Sequence, residues 1–241
     1  MEQYPIPRLQ DLLYQLQVGK SFSKIDLSDA YFQIPMDDES NQFLVVNTPL
    51  GLYQYQKLPF GVSSAPAIFQ RFLQQFISDI PFTANYLDDI VVTGKTDAEH
   101  LKNLDMLLKR LEETGMRCNY SKCSFMQKKI EYLGNIISET GVGVSDKGVL
   151  AIQNLPPPTN LQELQAFMGK VTYYIKYIKD FSTVSEPLNE LRRKNVPFHW
   201  GNRQEQAFRN LKQQLVTTTQ LSHFNDDLPL VLATDASSYG I

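Results

Sequence analysis

The sequence predicts an α+β chain, and three observations carry that expectation. Short runs of aromatic and β-branched residues, bounded by turn residues, recur through positions 1–137, as antiparallel hairpins require. Between them lie segments whose apolar residues return every three or four positions, the mark of helices packed on one face. From Thr159 to Leu215 the helical spacing continues without strands, so a small helical unit follows the mixed one.

Tyr4-Pro5-Ile6-Pro7 is an extended entry, because each proline keeps the residue before it out of a helix. Leu9, Leu12, Leu13 and Leu16 then predict a helix that stops at Gly19. Ser21 to Leu27 reads as a strand with Asp26 near its C-terminal end, followed by a compact bend through Phe32. A carboxylate on a buried strand is expensive, so Asp26 needs an ion, a partner or exposure. Phe43–Val46 and Gly51–Tyr55 predict a hairpin around Asn47-Thr48-Pro49. Leu58 to Pro66 is a stiff loop with Gly61 inside it, able to bring backbone close to a flat ligand. Ser64 is placed to cap the next helix, with Pro66 in its first turn. Ile68, Phe69, Phe72, Leu73, Phe76 and Ile77 form that helix's apolar face.

Asn85–Leu87 and Ile90–Thr93 read as two strands with Asp88-Asp89 at the turn between them. Adjacent carboxylates repel unless a cation or proton sits between them. Mg²⁺ suits them, since it takes few carboxylates plus waters and phosphates. Such a pair is nevertheless commonly a solvated turn, so its meaning depends on its surroundings. Thr96 and Glu99 make a capping box for a helix with Leu101, Leu104, Leu107, Leu108 and Leu111 inward and Gly115 at its end. Arg117 to Phe125 runs through Lys122, and Ile130 to Ile137 predicts a hairpin turning at Gly134-Asn135.

Composition changes at Ser138. Gly141, Gly143 and Gly148 lead to Pro156-Pro157-Pro158, an extended connector. Three helices follow. The first starts at Thr159 with Gln162 completing a capping box and packs Leu161, Leu164, Phe167 and Met168; the second lies near Ser185–Arg193. The third is capped by Asn202 and buries Ala207, Phe208, Leu211 and Leu215. Within Leu230 to Gly240 the sequence reads as a strand ending in an aspartate, Asp235.

At 241 residues, 42% hydrophobic and 20% charged, the chain can bury a substantial core. No apolar run approaches the ~20 residues of a membrane helix. The N-terminus lacks a signal-peptide pattern, so an intracellular setting, cytoplasmic or nuclear, is expected with no membrane partner. Two cysteines spaced C-x4-C and three scattered histidines argue against zinc and for free thiols. Net charge is −3 but uneven: residues 1–144 carry 13 Lys/Arg against 17 Asp/Glu, 145–215 carry 10 against 6, and 216–241 carry none against 3. A basic segment after an acidic one fits a phosphate-gripping element beside a cation site, or simply a solvated helical face.

Four stretches then resemble reverse transcriptases of long-terminal-repeat retrotransposons, the gypsy-like group in particular. They are Phe22-Ser23-Lys24-Ile25-Asp26-Leu27-Ser28-Asp29-Ala30-Tyr31, Leu58-Pro59-Phe60-Gly61-Val62-Ser63-Ser64-Ala65-Pro66, Tyr86-Leu87-Asp88-Asp89 and Glu131-Tyr132-Leu133-Gly134. All four occur in the family's order and spacing, and the resemblance covers almost the whole chain. It implies an RNA-directed DNA polymerase within a Pol polyprotein, acting with two Mg²⁺ (Mn²⁺ as substitute) on deoxynucleoside triphosphates and an RNA or DNA template with its primer. By the same resemblance Asp26, Asp88 and Asp89 are the metal-binding carboxylates, with the Leu27 carbonyl as a further ligand and Lys122 as proton donor to pyrophosphate. Ala30, Tyr31, Phe60 and Gly61 meet the nucleotide, Tyr31 as the gate against ribose. Pro66 contacts template, and Tyr132, Leu133 and Gly134 grip the primer.

The implied layout is partial fingers and a palm, an antiparallel sheet backed by helices, over 1–137; a helical thumb and connection over 138–215; and the first strand of a ribonuclease H-like domain over 216–241. Asp235 matches the first metal ligand of that last domain. The family's other ribonuclease H carboxylates and its upstream fingers residues are absent from the sequence, so no ribonuclease H activity is expected. The alternative is a truncated, inactive relic that only binds nucleic acid. A nucleotidyl cyclase is disfavoured, since it needs neither the Leu58–Pro66 loop nor a thumb.

Overall fold

The computed structural model describes residues 4–217, 221–223 and 228–229. The chain divides into two units, residues 1–132 and 133–241.

The first unit is built on a four-stranded antiparallel sheet. Its strands are β1 (Phe22–Asp26), β4 (Thr83–Tyr86), β5 (Asp89–Thr93) and β6 (Ser124–Gln127), in the order β4-β5-β1-β6. A separate hairpin joins β2 (Val45–Thr48) to β3 (Gly51–Gln54), turning at Pro49-Leu50 one residue beyond the sequence expectation. Helices α1 (Leu9–Leu16), α2 (Asp38–Asn41), α3 (Ala65–Ile77) and α4 (Asp97–Glu113) and strand β7 (Lys129–Tyr132) complete the unit. Alternation along the strands sorts the sheet into two faces. Ile25, Ile90 and Val92 enter a core with Phe69, Leu73 and Ile77 of α3 and Leu104, Leu107 and Leu111 of α4. The opposite face carries Phe22, Lys24 and Asp26 beside Thr93, Val91 and Asp89. It is therefore apolar at one end and ionic at the other. Burying the α3 and α4 stripes supplies roughly 1.5–3 kcal/mol per large side chain, which is what holds the ionic end in place.

Several local expectations shift. Ser64 makes no side-chain cap; its backbone is already helical, and Pro at the start of α3 needs no cap for its missing N–H. Leu101 and Leu108 are 52% and 41% exposed. The buried line of α4 instead runs His100, Asn103, Leu104, Leu107 and Leu111, because the Asn103 amide donates to the Thr93 carbonyl at 2.9 Å and draws that face onto β5. Thr96 does cap α4, accepting the Glu99 N–H at 3.2 Å, while Glu99 accepts from the Lys95 N–H at 2.7 Å.

Beneath the start of α4, fully buried His100 places Nδ1 3.2 Å from Ser21 Oγ, and its Nε2 has no hydrogen-bond partner among the described residues. Burial pushes the imidazole below its ordinary 6.5, partly offset by Asp97. The unfolded chain thus takes up a proton that the folded one resists, so stability should fall as pH drops below about 6.5. Urea midpoints at pH 7.5 and 5.5 check this. His100→Gln should flatten the difference, and an unchanged slope in that variant would remove His100 as the cause.

The second unit contains the hairpin of β8 (Asn135–Ser138) and β9 (Gly141–Val144), then α5 (Asp146–Gln153), α6 (Leu161–Tyr173), α7 (Phe181–Glu190) and α8 (Asn202–Thr217). Strand β9 and helix α5 occupy the glycine-containing stretch before the proline run, for which the sequence predicted no element. Val142 and Val144 bury one and Ile152 the other, while Ser145 caps α5 by accepting the Gly148 N–H at 3.1 Å. α6 begins two residues later than expected, capped by Asn160 rather than Thr159, since Asn160 Oδ1 accepts the Glu163 N–H at 2.9 Å. Leu161 is accordingly 39% exposed. α7 starts at Phe181, ahead of the expected Ser185, and Asn202 is the first residue of α8 rather than its cap. Phe167 and Phe208 meet at 4.7 Å between ring centres inside this bundle. On its surface Arg203 pairs with Glu186 and Glu190, and Arg209 with Glu205.

Candidate active site

β1 and β5 run antiparallel with Asp26 directly opposite Asp89. Opposed residues leave a sheet on the same side, so both carboxylates share one face. Tyr86 pairs with Asp89 across β4 and β5, which leaves Leu87-Asp88 as a two-residue turn. Asp89 is thus the first residue of β5, not part of the turn as its sequence suggested. The register with β1 extends one residue further than local turn composition indicates. Leu87 takes a φ of 52°. Positive φ at the first central residue suits the strand twist of a tight hairpin, but a leucine held there is strained.

Gln70 of α3 holds that turn. It is fully buried, and its side chain accepts the Leu87 N–H at 2.8 Å and donates to the Asn85 carbonyl at 3.2 Å. The Leu27 N–H reaches the Asp88 carbonyl at 3.3 Å, bringing the turn against the end of β1. Asp26's own backbone is fixed too: its carbonyl accepts the Asn119 N–H at 2.8 Å, and its N–H lies 3.4 Å from Cys123 Sγ.

The electrostatics follow from crowding. Asp88 is pushed above the usual carboxylate range by burial first, then by the charges of Asp89 and Asp26; its own backbone N–H and Lys24 oppose the shift. Lys24 Nζ lies 2.8 Å from Asp89 Oδ1, the two side chains 21% and 27% exposed. Lys122 Nζ, on a side chain 66% exposed, lies 3.8 Å from Asp26 Oδ1. Among the described residues no three His, Cys, Asp or Glu groups stand as a ready-made ligand cage. Mg²⁺ does not require one, since it is held by one or two carboxylates with waters and substrate phosphates. The hard oxygen donors of Asp26, on a side chain 19% exposed, and of Asp88, exposed at the turn, repel one another and fit such an ion.

Beside the carboxylates a short 3-10 helix, Ala30–Gln33, follows Asp29 in the left-handed region. Ala30 is buried, and the Tyr31 ring packs 5.0 Å from Phe60 and 5.4 Å from Phe69. The Tyr31 hydroxyl is pushed up by burial, then by Asp88 and Tyr86, which places it in the field of the acidic turn. Phe60 is 60% exposed. Gly61 takes a φ of 91° with open space where a Cβ would stand, so the backbone conformation, not crowding, calls for glycine. Pro66 sits in the first turn of α3.

Tyr132 is fully buried, and its hydroxyl has no hydrogen-bond partner among the described residues. Burial pushes that hydroxyl up, with Asp89 and Tyr86 adding to the shift. In the second unit, Leu133 and Gly134 take φ of 48° and 67°. These two, rather than Gly134-Asn135, are the turn, and Asn135 opens β8. The Leu133 carbonyl accepts from Tyr173 Oη and from the Asn135 amide, each at 2.7 Å. Asp235 and the strand expected before it lie outside the described residues.

Two residues of the site were not singled out from sequence. Gln70 follows Phe69 and precedes Leu73 by three, a polar residue on a buried stripe. Lys24 precedes Asp26 by two, which on a strand means the same face. Both signals are present in the sequence, though each depends on knowing the neighbouring element.

Comparison with known proteins agrees with this geometry. A family model described as reverse transcriptase (RNA-dependent DNA polymerase) matches residues 1–137, and one described as an RNase H-like domain found in reverse transcriptase matches residues 200–241. The Transposon Tf2-3 and Tf2-7 polyproteins of Schizosaccharomyces pombe are each 33% identical over 240 residues, 99% of this chain and 18% of theirs. The chain thus spans less than a fifth of the length of these relatives. A foamy viral protease-reverse transcriptase solved in complex with dsDNA superposes with a TM-score of 0.86 at 25% identity, covering 95% of this chain and 48% of that one. A foamy viral protease-reverse transcriptase solved in complex with RNA/DNA hybrid gives 0.83 at 25%, covering 95% and 31%. Among the described residues no helix is long and apolar enough to cross a membrane. With its acidic hairpin, its mixed antiparallel sheet and helices, and a family match over more than half its length, the chain belongs to the reverse transcriptase family.

Proposed function

We propose that this chain supplies the polymerase active site of an RNA-directed DNA polymerase, adding deoxynucleotides to a primer 3′-hydroxyl on an RNA or DNA template. The observation that carries the proposal is Asp26 opposite Asp89 with Asp88 on the adjoining turn, all at one sheet end. In this reading Asp26 and Asp88, with the Leu27 carbonyl, hold two Mg²⁺. Bound magnesium would make the primer hydroxyl a better nucleophile and neutralise charge on the transferred phosphate.

The protein groups have separate tasks. Tyr31 occupies the space of a ribose 2′-hydroxyl, and Phe60 and Gly61 lie beneath the incoming nucleotide. Lys122, beside Asp26, donates a proton to departing pyrophosphate. Pro66 borders the template, and the Tyr132–Gly134 stretch borders the primer end. Residues 1–137 act as partial fingers and palm, 138–215 as thumb and connection gripping phosphates, and 216–241 as the start of a ribonuclease H-like domain.

Primer extension on an RNA template with Mg²⁺ and deoxynucleotides tests the reading. Template-dependent extension is expected; primer–template binding without extension would favour a non-catalytic binder. That second reading draws on the lysines that already neutralise Asp26 and Asp89. A further expected result is that Tyr31→Ala lowers discrimination against ribonucleotides by about 10–100-fold, measured as the ratio of kcat/KM for deoxy- and ribonucleotide. An unchanged ratio would return Tyr31 to a packing role.

A further inference from the structure

We propose that Lys24 is a positioning residue that partitions the acidic triad, withholding Asp89 from the ions so that Asp26 and Asp88 take them. The inference rests on the polymerase reading of Asp26 and Asp88 and goes beyond it by giving Asp89 and Lys24 distinct parts.

Lys24 and Asp26 lie on the same face of β1, two residues apart. Lys24 stands opposite Val91, a fully buried residue, along which its aliphatic stem can lie. From there its ammonium reaches diagonally to Asp89 Oδ1 at 2.8 Å. Both groups are mostly shielded from water, so this contact is screened far less than a surface pair. The contrast with Lys122 is geometric: its ammonium stands 3.8 Å from Asp26 on a largely exposed side chain, so an arriving cation can displace it. Lys24 has less freedom to leave. Neighbouring residues Asp88 and Asp89 belong to different local structures, turn and strand, which lets one serve an ion while the other is held by a fixed cation. The lysine also lowers the negative charge that Asp26 and Asp88 experience before any ion arrives.

The test is a mutant cycle on the chain with Lys24→Met, Asp89→Asn and the double variant, with Lys24→Arg as the conservative replacement. Mn²⁺ affinity is read by electron paramagnetic resonance, independently of turnover, and primer extension is followed in parallel. Lys24→Met releases Asp89 to compete for the ion, so Mn²⁺ affinity should change by about tenfold and extension should fall by about tenfold. In the Asp89→Asn background the same replacement should change neither by more than about twofold, and Lys24→Arg should retain both properties. Equal effects of Lys24→Met in the two backgrounds would overturn the assignment. If Lys24→Met does not fold, loss of Mn²⁺ affinity or extension in a folded Lys24→Arg would overturn it equally. Failure of the underlying reading looks different: Asp88→Asn would then leave Mn²⁺ binding intact.

Discussion

Asp88→Asn is expected to lower primer extension by about 10²–10³-fold without weakening the fold. The replacement keeps the shape of the side chain and removes its charge. In the parent protein Asp88 is pushed up by burial and by Asp89 and Asp26, so the carboxylate is a strained anion in the absence of a counter-ion. Replacing it relieves like-charge repulsion, and the thermal midpoint should hold or rise slightly. A folded, inactive variant separates the charge of Asp88 from the integrity of its turn. Extension within about threefold of the parent would remove Asp88 from the chemistry.

The largest effect on stability is expected at Gln70. Its fully buried amide serves two backbone groups of the β4–β5 hairpin, the Leu87 N–H and the Asn85 carbonyl. Gln70→Leu fits the apolar surroundings but leaves both groups unpaired, a loss of about 2–4 kcal/mol in urea unfolding. Because Leu87 is held at positive φ, the turn should also relax, and extension should fall even where the variant remains folded. A loss below about 0.5 kcal/mol would mean that the hairpin holds its shape without α3.

Much of this site was legible in the sequence because its parts are local. The strand ending at Asp26, the acidic hairpin, the Gly61 loop and the proline-led helix each announce themselves within about ten residues, and their order carried the family resemblance. What was not legible depends on register and packing. Asp89 reads as a turn residue until β1 pairs beside it. Lys24 gains its meaning only when the same pairing places Asp89 within its reach. Leu101 and Leu108 fit a helical stripe, yet buried Asn103 and His100 rotate α4 away from them. β9 and α5 lie in the stretch of Gly141, Gly143 and Gly148, where the spaced glycines interrupt any period, although Val142, Val144 and Ile152 are buried. The Leu133-Gly134 turn was displaced by one residue because Asn135, a good turn former, instead accepts from Tyr177 Oη at 2.8 Å.

The central claim is that Asp26 and Asp88 together hold catalytic cations, and Mn²⁺ titration followed by electron paramagnetic resonance addresses it most directly. With primer–template and a deoxynucleoside triphosphate present, Asp26→Asn and Asp88→Asn should each weaken Mn²⁺ binding by about tenfold or more. Mn²⁺ affinity equal to the parent's in both variants would contradict the claim.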